Sequence, residues 1–268
     1  MEDLKTILEK VYQNTKLECI KLSAELHDCT QFDSKIGGTP YIPNNFEYPY
    51  SKSEPTQPLM LFAQINFEQM PHLKDFPHKG MLQFYLNPTD DCYGINFDTP
   101  TIQDNFRVIY HENIDYSANN IDKVPKFNVE NDDYMPFEFN TEAILTGELY
   151  MQECPPPYSL ERFEDIFKDT FKKLYPNENA NDFYTNHYDE IEDFFEQDNY
   201  STHAIGGYPY FTQNDITDDF YSTLLLQIDT DDDINLMWGD CGIGNFFIKP
   251  NDLKNLDFNN VLYNWDCC

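Results

Sequence analysis

The feature that most constrains this chain is that it repeats itself. Ile36-Gly37-Gly38-Thr39-Pro40-Tyr41-Ile42 is echoed by Ile205-Gly206-Gly207-Tyr208-Pro209-Tyr210-Phe211, at an offset of 169. Leu59–Asn66 is echoed by Ser222–Asp229 at an offset of 163, and Gly80–Pro88 by Gly242–Pro250 at 162. Three blocks in the same order with slowly drifting offsets describe a duplicated unit. We read repeat one at about 31–110 and repeat two at about 200–265, packed about a pseudo-twofold.

The blocks have a local physical meaning. The paired glycines supply positive φ or close backbone approach, and a residue before proline is forced extended. Leu59–Asn66 and Leu224–Asp229 are apolar runs of strand length bounded by turn residues, which predicts strands buried on both faces. Gly80–Pro88 and Gly242–Pro250, rich in Phe, Tyr and Ile, predict a second strand in each repeat. Ile234–Trp238 reads as a further strand, so Asp229–Asp233 is expected at a hairpin tip.

Helices are fewer. Leu4, Ile7, Leu8 and Val11 have helical spacing, predicting a helix over about 2–14, followed by a strand at Leu17–Ala24. Ser159 is placed to cap a helix whose stripe is Leu160, Phe163, Ile166, Phe167, Phe171 and Leu174. A second helix is predicted at about 181–197, with His187 on its apolar stripe. Residues 113–135 read as an irregular connector. The expected class is α+β with mainly antiparallel strands, a single domain over 1–268. The N-terminal helix precedes repeat one, and the connector and helical insert occupy about 111–199.

Charge excludes several functions. Lys plus Arg is 17 against 48 Asp plus Glu, a net charge of −31. With two arginines, Arg107 and Arg162, the chain lacks the basic patches that nucleic-acid backbones require. Anionic membrane surfaces are disfavoured for the same reason. The acid concentrates in residues 128–235, with 26 Asp/Glu against 4 Lys/Arg, so a basic protein is the charge-compatible partner. With 22 Phe and 19 Tyr the chain is too aromatic to be disordered. Met1-Glu2-Asp3-Leu4-Lys5 lacks the basic and apolar regions of a secretory signal, which gives a cytoplasmic expectation. The seven cysteines have no framework spacing and are expected as free thiols, the adjacent Cys267 and Cys268 included.

Ser34-Lys35-Ile36-Gly37-Gly38-Thr39-Pro40-Tyr41 followed by Phe62-Ala63-Gln64-Ile65-Asn66 resembles the bacterial YwqG-like family. Leu225–Asp229, Met237-Trp238-Gly239-Asp240, Gly242–Ile248 and Tyr263–Asp266 are similar to that family's C-terminal signature. The resemblance implies an uncharacterised, cytosolic bacterial protein with an internally duplicated, sheet-rich fold. It brings no catalytic residues and no cofactor. Some relatives lie near toxin and immunity genes, so an immunity-like role is implied.

Candidate site residues follow from the residue types. Gln64 and Gln227 sit at matching places in apolar strands and must find partners, either as structure or lining a ligand cleft between the repeats. Trp238, Asp240 and Asn245, among Gly239, Gly242 and Gly244, are candidates for the same cleft. Asp229, Asp231 and Asp233, followed by Asn235 and Asp240, mimic the oxygen spacing of a calcium loop and are candidate metal ligands. Ile234 stands where such a loop needs glycine, which argues against an EF-hand. His72 and His78 are expected to be exposed and not to ligate metal. Cys241 has no sequence-local base and is read as a free, buried thiol. The expected function is a non-enzymatic binding protein with an acidic surface. The alternatives are a small-ligand protein or enzyme with an inter-repeat cleft, and a cation module at 229–233.

Overall fold

A computed structural model describes residues 2–127, 134–196, 203–217 and 220–268. The elements in chain order are α1 (Leu4–Thr15), β1 (Leu17–Leu26), β2 (Lys35–Gly37), β3 (Met60–Asn66), β4 (Met81–Leu86) and β5 (Phe106–His111). They continue with β6 (Glu142–Gln152), α2 (Phe163–Leu174), α3 (Ala180–Asn186), α4 (Tyr188–Phe195) and β7 (Ala204–Gly206). The chain ends with β8 (Thr223–Asp229), β9 (Ile243–Ile248), α5 (Pro250–Lys254) and β10 (Leu262–Asp266).

The strands form one ten-stranded sheet in the order β10-β9-β8-β7-β1-β6-β2-β3-β4-β5, antiparallel at every pairing. The central seam is the β1–β6 ladder, from Leu17↔Gln152 to Leu26↔Ala143. β3 and β8 each carry a register shift against the next strand, at Leu61/Ala63 and at Leu224/Leu226. The sheet curls into a half-barrel. The outer strands β5 and β10 approach across its mouth, with the Phe106 and Tyr263 rings 5.1 Å apart. Tyr263 N donates to Pro100 O at 3.0 Å.

The concave face holds one apolar core fed from both ends of the sheet. Phe62, Phe84, Phe106, Trp238, Phe246 and Tyr263 are all buried in it. β3, β4 and β9 are buried on both faces because loops cover the convex side. A separate apolar cluster joins α1 to α2, α3 and α4, with Phe163, Phe167 and Phe195 at its centre. α1 begins where Asp3 Oδ1 accepts from Thr6 N at 3.0 Å, and it buries Leu8, Val11 and Tyr12.

Some local expectations are corrected. The helix expected over 181–197 breaks at His187 into α3 and α4, and residue 197 lies outside the described residues. His187 takes up the junction, where it leaves its Nδ1 buried without a hydrogen bond. α2 starts at Phe163 after Arg162, so Ser159 does not cap it. Instead Ser159 N donates to Pro156 O in a turn. Ile234–Trp238 is not a strand: Asp232–Ile234 forms a 3-10 turn, Asn235 is left-handed at φ 52°, and only Leu236 makes isolated bridges. Residues 142–152, expected within the connector and helical insert, form β6, a central strand. Part of the 113–135 connector and the expected start of repeat two at about 200 fall outside the described residues.

Candidate functional site

The polar residues placed inside the apolar strands hold loops. Gln64 is fully buried, and its Oε1 accepts from Tyr41 N at 3.1 Å. Its Nε2 donates to Gln31 O and Asp33 O at 2.9 and 2.8 Å. Gln83 Nε2 donates to Tyr41 O at 2.8 Å. The same clamp recurs at the matching places. Gln227 Oε1 accepts from Tyr210 N at 2.8 Å, and Asn245 Nδ2 donates to Tyr210 O at 2.9 Å. Each Gly-Gly-x-Pro-Tyr loop is therefore pinned through both backbone groups of its tyrosine.

The two clamps differ at their second amide, Gln83 in one and the shorter Asn245 in the other. Gln83 Oε1 accepts from Tyr85 OH at 3.0 Å and lies 3.0 Å from His111 Nε2. The place matching Tyr85 is Phe247, which has no hydroxyl, and Asn245 Oδ1 is buried without a hydrogen-bond partner. Burial with no compensating charge lowers the His111 pKa to about 4.

The remaining candidates separate. Trp238 is fully buried and lies over Gly244, edge-on to Phe62 at 5.1 Å, so it is a core residue and not a cleft wall. Asp240 is exposed. At the acidic tip, Asp231 Oδ1 accepts from Asp233 N at 2.9 Å and caps the 3-10 turn. Its Oδ2 faces His203 Nε2 at 3.1 Å, and His203 Nδ1 accepts from Asp229 N at 3.0 Å. That N–H fixes the proton of His203 on Nε2, where Asp231 receives it. His203 is thus a strut between strands, with neither ring nitrogen open to a substrate. Asp229 and Asp231 are half-buried and Asp233 is exposed. Among the described residues, the three ligand-type side chains that converge within 4.8 Å are Asp90, Asp91 and Cys92, which spacing alone did not single out. His72 and His78 are exposed as expected, and their rings stack at 4.2 Å.

A cavity opens where the two Gly-Gly loops diverge. In the second loop Tyr208 is buried beneath the helices, its hydroxyl donating to Thr15 O and its backbone held on both sides by Gln152. In the first loop the matching residue is the smaller Thr39, and among the described residues no α-helix covers it. A cleft of about 520 Å³ stands there, lined by Thr39, Tyr48, Phe127, Phe137, Phe139 and Glu142 among others. That volume lies in the range of small-molecule sites. Gly37 and Gly38, both at φ 66°, form its floor; a Cβ on either would overlap Thr141 O or Glu142 Oε1. The Tyr48 hydroxyl is buried without a hydrogen bond. Glu142 is the carboxylate of the cleft, and 3.5 Å behind it lies the ammonium of the fully buried Lys35. Burial lowers the Lys35 pKa, while Glu142 opposes the shift. The sequence signal for this asymmetry was Thr39 against Tyr208.

Residues 34–267 match the family described as a domain of unknown function, DUF1963. The chain belongs to that family. No curated protein matches it at a significant level. The match leaves α1 and β1 outside it, so in this DUF1963 chain a central strand of the sheet precedes the matched segment.

The helices of the DUF1963 chain carry its clearest surface charge. α3 and α4 contain no Lys or Arg, while Asp182, Asp189, Glu190, Asp193 and the adjoining Glu196 are exposed. Among the described residues, no helix is long and apolar enough to cross a membrane.

Proposed function

We propose that this chain is a non-catalytic binding protein whose acidic helical face engages a basic protein. The carrying observation is the α3–α4 surface, where exposed carboxylates stand without a cation on either helix. Such a surface steers and selects positively charged partners. An immunity-like role, in a bacterial cytoplasm, is the finer form of this reading. The YwqG-like resemblance agrees with the DUF1963 match. The test is capture of basic proteins in about 0.15 M salt, where exposed charges are screened beyond roughly 8 Å. We expect a basic protein to be retained by the native chain and released by the D189N/E190Q/D193N variant. Recovery of neutral, abundant proteins alone overturns the proposal.

The cleft beside Thr39 favours a second reading, a small-ligand protein. T39Y would place a ring there as Tyr208 does in the other loop. The ligand-induced rise in melting temperature given by a small-molecule library should vanish in T39Y. A hit that stabilises both proteins equally would place binding elsewhere.

The architecture supports a duplicated unit related by a pseudo-twofold. Lys21↔Ala204 corresponds to Lys35↔Ile144 on the other side of the seam, which puts the axis at the Ser23↔Thr146 pair. In this reading each half is five strands, β6-β2-β3-β4-β5 and β1-β7-β8-β9-β10.

A further inference from the structure

Thiols gather at one end of the sheet. Residues 239–241 form a tight turn after Trp238, closed by Gly242 N donating to Trp238 O at 2.7 Å. Cys241 sits in that turn at φ 56°, and its side chain is exposed where a buried thiol was expected, because the turn carries it off the end of the sheet. The chain leaving β10 runs alongside. Cys268 N donates to Asp240 O at 3.3 Å, and Cys268 is also exposed. Standard peptide dimensions turn that hydrogen bond into a Cα separation between Cys241 and Cys268 of about 7 Å or less. Two cysteines so placed can be bridged without moving the backbone far. Cys267 is less exposed than either. Its Sγ lies 2.8 Å from where a Cβ on Gly239 would sit, and its Cβ lies 2.7 Å from that of Gly242, so it packs on the glycines of the turn.

We propose that Cys241 and Cys268 form a dithiol that is oxidised by low-molecular-weight disulfides. The Cys241 thiolate attacks one sulfur of the external disulfide, whose S–S bond breaks and whose other half leaves as a thiolate that takes up a proton. The Cys268 thiolate then attacks Cys241 Sγ in the mixed disulfide, and the second external thiol departs. The two protein thiols are oxidised, and one external disulfide is reduced to two thiols. The new bond ties the end of β10, an outer strand, to the turn before β9.

The chain carries its own reporter. Its two tryptophans, Trp238 and Trp265, flank this turn with rings 6.2 Å apart, and a disulfide nearby should quench both. The experiment incubates the whole protein with oxidised glutathione, then digests it with chymotrypsin under non-reducing conditions. Cleavage after Trp238, Phe246 and Trp265 gives peptides 239–246 and 266–268. We expect them to be recovered joined and lighter by two hydrogens. Tryptophan emission should fall and be restored by dithiothreitol, and the melting temperature should rise by roughly 5 °C. C267S should keep all three effects, and C241S and C268S should lose them. Persistent glutathione on Cys241, a Cys267–Cys268 link, or a bridge lost in C267S overturns the assignment.

Discussion

The rings of Phe84 and Phe246 lie 4.7 Å apart at the centre of the concave core. They occupy matching places in the two Gly-led sequence blocks, on β4 and β9, strands separated in the sheet by six others. Only the curl of the sheet brings them together. Phe84→Ala and Phe246→Ala should each cost about 3–5 kcal/mol, the range for emptying a buried phenylalanine site. In a double-mutant cycle read by urea unfolding, the pair should couple by about 1 kcal/mol. Strict additivity would mean that the two ends do not share one core.

Gln64 holds its loop through four hydrogen bonds, counting the donation it receives from Gln83 Nε2 at 3.1 Å. Gln64→Leu keeps the volume and orphans buried backbone groups. We expect a loss of about 3 kcal/mol in chemical denaturation. A loss below about 0.5 kcal/mol would show that the Tyr41 loop is held by other means.

Gly37 and Gly38 share φ 66° but differ in what an added methyl would strike. At Gly37 it meets the backbone oxygen of Thr141, and at Gly38 the side chain of Glu142, whose Oε1 faces Lys35. Both Gly→Ala changes carry a left-handed penalty of about 1–2 kcal/mol. Gly37→Ala should cost clearly more, because backbone cannot swing away. Equal melting temperatures for the two variants would refute the reasoning.

His111 gives the fold an acid sensitivity. Its pKa, lowered to about 4 by burial, is below the ordinary 6.5, so the folded state favours the neutral ring. As the pH falls through 6.5 the unfolded chain takes up the proton first. Stability contributed by the neutral ring is complete above about pH 6.5 and declines toward pH 4. His111→Phe, which keeps the edge-on packing against Tyr41 and Phe46, should flatten the melting-temperature profile across that interval. Identical slopes for the two proteins would remove His111 as the source.

Strong periodicity and bulk made several elements legible. α1, β3, β4, β8 and β9 announce themselves through apolar runs with clear ends. β6 does not: Ala143 and Leu145 turn inward, but Thr146, Glu148, Leu149 and Tyr150 are exposed, so its second half shows no alternation. Its identity comes from pairing with β1, a long-range fact that no local window contains. Gln64 and Gln227 were recognisable as buried polar residues needing partners, yet the partners, Tyr41 and Tyr210, are backbone groups that composition cannot nominate. The α3–α4 break arises at His187, which has no proline or glycine to mark it. The cleft is bordered by Thr39 where the other loop has Tyr208, an exchange whose meaning appears only once the helices are seen to bury Tyr208.

The β1–β6 seam joins segments more than a hundred residues apart in the chain. Loop closure of that span must precede its hydrogen bonds, so assembly is governed by topology and is slow. During synthesis, β1 leaves the ribosome long before β6 exists. The nascent chain therefore carries an unsatisfied strand while more than a hundred further residues are made, and the whole β1–β6 ladder can close only on the emergence of Gln152.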